Sequence, residues 1–262
     1  METPEDDSKK PLRHRLRHYL YEFLMLFLAV FCGFLAENQR EHMAEREMEK
    51  EYMNTMLEDL KADGPLLDSI MGYWNEVNRN IDSVTDAISF PLTKTDLPKV
   101  YSHVIEATNY WSFKYNDRTV AQLKNSGGFL VIRNKEVTNK IIAYDQFNRT
   151  AIEGIDTQHN KFYENATASR SKALSEEIIT AIYNRYGFKS PPPSAHHWVD
   201  SLISINRVLT AEQNQSNVLF EFKNALIALK RDYTINVTYG YEQLKLKNNE
   251  LIKLIQENYP SE

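Results

Sequence analysis

Residues 19 to 36 read YLYEFLMLFLAVFCGFLA, and from Phe23 to Ala36 no side chain is charged or strongly polar. A helix that is apolar all the way round has no face to offer water, so lipid is the solvent it suits. Cleavage after Ala36 would put bulky Phe34 three positions before the cut, and Phe31 stands where a lipoprotein signal needs a small residue before Cys32. The stretch is therefore expected to stay attached as an anchor. At a rise of roughly 1.5 Å per residue it is about 27 Å long, slightly under the ~30 Å hydrocarbon layer. Ten of its residues are Leu, Phe or Val; at roughly −0.3 to −0.6 kcal/mol each they outweigh one carboxylate, which costs about 3 kcal/mol at the bilayer centre.

That carboxylate is Glu22, three residues from the start, between Tyr21 and Phe23. Two readings stand for it. It is an interfacial acid on the first turn, extending to the headgroups beside Tyr19 and Tyr21. Alternatively it pairs with a polar group on a neighbouring span, with Gly33 allowing close approach between two copies. Lys9, Lys10, Arg13, Arg15 and Arg17 precede the stretch, whereas Arg40, Arg46 and Lys50 are the basic residues soon after it. By the positive-inside rule the amino terminus is cytoplasmic and the remainder periplasmic, at a bacterial inner membrane.

The exported part reads as helix. Residues 37 to 63 contain neither Pro nor Gly, so the anchor is expected to continue outward as a juxtamembrane helix until Gly64-Pro65 interrupts it. Beyond, Leu67, Ile70, Trp74, Val77, Ile81, Val84 and Ile88 step by three and four, the seam of a helix packed on a partner. Pro91 and the Leu97-Pro98 region close that segment. Val100, Val104 and Ile105 suggest a short helix, and Asp117 a cap for one holding Val120 and Leu123. Gly127-Gly128 suggests a sharp turn that sends Phe129 to Ile132 through the interior. Asn134 starts a helix running to about Ala173, Ser175 another that ends near Gly187, and Thr210 a last one of some forty residues, weakened around Ile235 to Thr238 and at Gly240. KSPPPSAHHW, residues 189 to 198, reads as an extended connection. Such helices must bury their stripes on one another. The expected fold is all-α, with an N-terminal transmembrane helix continuing into an elongated helical bundle. Its parts are a basic tail 1–18, the span 19–36, the juxtamembrane helix 37–63 and the bundle 64–262.

The segments YEFLMLFLAVFCGFLAENQREH, EKEYMNTMLEDLKAD and QLKNSGGFLVIRNKEVTNKIIAYD, within residues 19 to 145, resemble a family of uncharacterised single-pass membrane proteins widespread in Bacteroidota. The matching features are Glu22 at the head of the span, Asn38 at its end, the acidic Leu57 to Leu60, the Ser126 to Gly128 element and Ile132 to Tyr144. The resemblance implies a bacterial envelope protein with one span and a helical domain of unknown role, and it supplies no catalytic residues.

No catalytic signature is present. Gly-x-Ser-x-Gly and His-Glu-x-x-His do not occur, Gly127-Gly128 lacks the following Lys-Ser or Lys-Thr of a phosphate loop, and adjacent His196-His197 lacks further ligands at metal spacing. The single Cys32 cannot form an internal disulfide, and a net charge of −5 with the basic residues dispersed argues against nucleic acid. No cofactor is expected. Glu37, Asn38, Arg40 and Glu41, at the headgroup boundary, are with Glu22 and Gly33 the candidate contacts for membrane or partner. Tyr110, Trp111 and Phe113 either line a pocket or join the core. The leading expectation is a non-enzymatic anchored protein acting by contact with a second copy or another envelope protein. A periplasmic ligand-sensing domain is the alternative, and an unrecognised hydrolase, detectable with nucleophile-directed probes, is the third.

Overall fold

A computed structural model describes residues 12–90, 95–205 and 212–260, and all regular structure among them is helical. The first helix, α1 (Leu12–Ala87), has 76 residues, about 114 Å of continuous rise. From residue 16 to 44 every position is exposed. The apolar segment lies wholly within that bare stretch, and it makes α1 long and apolar enough to cross a membrane. Burial begins at Glu49 and then follows the expected seam: Leu67, Ile70, Trp74, Val77, Ile81, Val84 and Ile88 are each at most 2% exposed.

Around the far half of α1 pack α2 (Leu97–Ala107), α3 (Arg118–Ser126), α7 (Glu212–Asp232) and α8 (Thr238–Asn258); α4 (Lys135–Ala173) lies along α7 and α8. Two smaller helices, α5 (Glu176–Tyr186) and α6 (His196–Ile205), close over α2. Several ends are set by residues read from the sequence. Asn134 accepts from the N–H groups of Glu136 and Val137 at the start of α4, and Gly187 follows α5 with a left-handed φ of 65°. The weakened stretch of the last helix is a π-turn, Tyr233–Val237, joining α7 to α8 without a break.

Four expectations are corrected. Gly64-Pro65 does not end α1: Pro65 lies inside the helix on an exposed position, so the Lys61 carbonyl that loses its donor faces water. Asn248 from α8 also donates to the Leu60 carbonyl at 3.0 Å, tying the turn before the proline to the bundle. Leu97-Pro98 opens α2 rather than closing a segment, with Asp96 as its cap; Pro91 lies outside the described residues, as does Thr210. Of the run Phe129 to Ile132 only Ile132 is buried; Leu130 is 92% exposed on a short 3₁₀ turn, Gly128–Leu130. The proline-rich stretch ends in a second such turn, Pro193–Ala195, and from His196 onward it is helical.

The core is in two parts. Met53, Met56, Leu57 and Leu60 pack with Leu123, Ile141 and Leu251 at the near end, whereas Leu67 to Ile88 pack with α2, α5 and α7 at the far end. Between them lies a polar belt containing Asp59, Asp63, Tyr144, Asn148 and Asn248. Burial pushes the Asp63 carboxyl up to about 6, against the N–H of Asn116, which donates to it at 2.9 Å, and with the neighbouring Asp59 charge adding to the rise. A carboxyl raised in the folded state favours folding at low pH, and that contribution is lost as pH rises from its ordinary value near 4 through about 6. Asp63→Asn keeps the acceptor for Asn116 and removes the charge. It is expected to stabilise the protein by about 2 kcal/mol at neutral pH and to change nothing below about pH 3.5, measured by urea unfolding at both pH values. A gain independent of pH would show that the Asp63 charge is not its source.

Candidate functional site

The sequence candidates all lie on the bare part of α1. Glu22 is exposed on the apolar segment, and a Cβ added at Gly33 would meet nothing within 4 Å outside the helix's own backbone. Glu37 and Arg40 are brought together: Arg40 Nε donates to Glu37 Oε2 at 3.0 Å, and the guanidinium holds the Glu37 carboxyl below its ordinary value. Asn38 and Glu41 are exposed on the same stretch. His42 follows with its Nδ1 3.3 Å from Glu45 Oε2. The pair is a one-turn surface feature, and surface ion pairs of this kind contribute little to stability.

A surface groove of about 670 Å³ lies between the segment after α2 and the middle of α4, lined among others by Phe113, Tyr115, Arg149, Glu153 and Asp156. The sequence pattern here divides. Phe113 is buried, its N–H donating to Tyr241 Oη at 3.2 Å, and it also forms one wall of the groove; Trp111 is half-exposed. Tyr110 lies behind, its hydroxyl donating to Asp156, which also accepts from Ser112 Oγ at 2.8 Å. Beside the groove, burial works to raise the Asp145 carboxyl, but hydrogen bonds from Lys124, Tyr115 and Arg149 outweigh it and hold Asp145 below the usual range.

Tyr110 connects this groove to a group that sequence reasoning did not find. His159 of α4 is fully buried, sandwiched between Tyr110 (ring centroids 4.7 Å apart, planes at 15°) and Tyr233 (4.5 Å, 20°). Its Nδ1 is 3.1 Å from Asp232 Oδ2, while its Nε2, the indole N–H of Trp74 and the Tyr73 hydroxyl have no hydrogen-bond partner. Buried polar atoms are rarely left unpaired, so this cluster suits an internal water or small polar guest. Asp232 and His159 are 73 residues apart, on helices whose periodicity predicts each stripe but not which polar residues meet. The only local signal was the β-branched weakness at Ile235 to Thr238, which becomes the π-turn directly after Asp232. No His/Cys/Asp/Glu group of three or more suited to a metal occurs among the described residues, and His196 and His197 open α6 without one.

A third feature runs along the outside of α7 and α8. Phe220, Ile227, Ile235, Tyr239 and Leu246 are each at least half exposed. Their spacings of 7, 8, 4 and 7 keep one line on a helix only because the π-turn absorbs the extra residue in the interval of 8. Phe90 extends the line, meeting Phe220 edge to face at 5.9 Å. No family model, no curated protein and no solved structure matches this chain.

Proposed function

We propose that the chain is a single-pass protein of a bacterial inner membrane, amino terminus in the cytoplasm and bundle in the periplasm, that works by protein–protein contact. The apolar segment of α1, the five basic residues before it and the resemblance to single-pass Bacteroidota proteins support the placement. The observation that carries the contact reading is the outward line from Phe220 to Leu246, an exposed apolar strip longer than scattered surface residues account for. Tethered at its base by α1, the bundle keeps that strip near the membrane surface, which raises the effective concentration of any partner in the same membrane.

Photo-crosslinkers placed at Ile227 and Tyr239 in intact cells are expected to give one defined adduct, a second copy or another envelope protein, lost in Ile235→Lys. A crosslinker on the opposite surface of the bundle is expected to give none. Equal, diffuse labelling from both surfaces would overturn the reading. The groove over α4, with His159 Nε2 lacking a partner behind Tyr110, favours a second reading in which a bound ligand displaces α1. In that case Asp156→Asn abolishes activity in the cell, while Ile235→Lys is silent.

A further inference from the structure

Arg133 leaves the loop between α3 and α4 and turns back along α1 toward the apolar segment. Its N–H donates to Glu49 Oε1 at 2.8 Å, and its guanidinium stands 3.7 Å from Glu45 Oε2. Below it a notch of about 370 Å³ opens against one face of α1, lined by Arg133 with Gln39, His42, Met43, Glu45 and Arg46. Positions 39, 42, 43 and 46 follow the i, i+3, i+4, i+7 pattern, so they share one helix face under the overhanging loop. Gln39 is about 4.5 Å of rise beyond Ala36 and Glu45 about 14 Å. The interfacial layer of a bilayer is roughly 5–8 Å deep on each side, and arginine side chains extend several ångströms toward it. The notch therefore reaches from the headgroup layer to the base of the bundle.

The loop above it carries an apolar tip. Gly128 presses on α1 so closely that a Cβ there would stand 3.0 Å from the Tyr52 ring and 2.8 Å from Leu123, and two residues on Leu130 projects with 92% of its surface exposed. Arg46 and Arg133 against Glu45 line the notch with two cationic side chains to one carboxylate.

We propose that this collar holds the headgroup of an anionic phospholipid, its phosphate between Arg46 and Arg133. The proposal rests on the membrane placement above and goes beyond it by naming a lipid-binding site. The bilayer is the occupant because, in that placement, the apolar segment ends three residues below the notch and brings anionic headgroups toward the two arginines.

The test uses the full chain carrying Cys32→Ser and Leu130→Cys, with an environment-sensitive fluorophore on the new thiol, reconstituted in vesicles of phosphatidylcholine alone or with phosphatidylglycerol. Nitroxide lipids labelled at the headgroup are expected to quench the probe several-fold more in the anionic vesicles. Arg46→Gln and Arg133→Gln, both surface changes, are each expected to lower that docked fraction about fivefold. Quenching that is absent, equal in the two vesicles or indifferent to the arginines overturns the site while leaving the anchor intact. Relief of quenching by inorganic phosphate would assign the notch to a soluble anion, and a protein crosslink formed there in place of lipid contact would assign it to a partner; either overturns the proposal. A chain washed off the vesicles by alkali overturns the anchor itself, and the lipid site with it.

Discussion

Trp74→Ala is expected to destabilise the bundle by about 3–5 kcal/mol, whereas Trp111→Ala, two helices away in sequence, is expected to change it by about 1 kcal/mol or less. The contrast follows from burial. Trp74 is 2% exposed and its ring meets Tyr73 at 4.9 Å, Tyr233 at 4.5 Å, His159 at 5.6 Å and Tyr110 at 5.7 Å. Removing it opens a cavity against four rings that are held by other contacts and cannot collapse inward. The stacked Tyr110–His159–Tyr233 arrangement also loses its edge support. Trp111 is half-exposed and makes one edge contact with Tyr73. Urea unfolding of the full chain in detergent, followed by helix signal, checks both. Equal losses would mean that the Trp74 site is not the packed centre described here.

Asp59→Ala is expected to cost a further large amount, about 3–5 kcal/mol, and to free the start of α3. Asp59 is 1% exposed, yet four groups converge on it: the N–H and hydroxyl of Thr119 at 2.9 and 2.5 Å, the Asn116 amide at 2.8 Å and the Arg118 guanidinium at 2.9 Å. It caps α3 from another helix, placing a negative charge at the α3 amino terminus. Truncation strands the two Thr119 donors in a buried belt, whereas Asn116 and Arg118 are exposed and can turn to water. Asp59→Asn keeps acceptor oxygen but not charge, so it is expected to lose roughly half as much. Amide exchange at Thr119 separates the cap from general destabilisation: protection there should fall before protection in the α4 interior falls.

Asp59 also shows where the sequence stopped being informative. The spacing of Leu67 to Ile88 required a packed helix face, and an all-round apolar stretch required a bare one; both follow from periodicity, which is local. Asp117 occupies the N-cap position of α3, as its place before Val120 suggested, but it makes no cap hydrogen bond and instead pairs with Arg149 at 3.4 Å. The donor's true acceptor is 60 residues away. The same limit hid His159 and Asp232, and it hid Arg133, whose place beside Arg46 depends on how a glycine turn lies against Tyr52. In the sequence ENQREH reads as a headgroup-level segment whose Glu37, Asn38, Arg40 and Glu41 make the contacts, but its Glu37 and Arg40 pair with each other, and the side chains facing the notch are Gln39 and His42. Pro65 was misread because its consequence depends on which side of the helix it occupies, and only the assembled bundle puts the Lys61 carbonyl in water.

Because α1 passes Pro65 without ending, the 51 residues after Ala36, through Ala87, form one lever about 77 Å long. Tilting its foot by about 10° sweeps the distal tip roughly 13 Å sideways. In the membrane placement proposed above, the inclination of that foot sets the lateral reach of the α7–α8 strip, with no rearrangement inside the bundle.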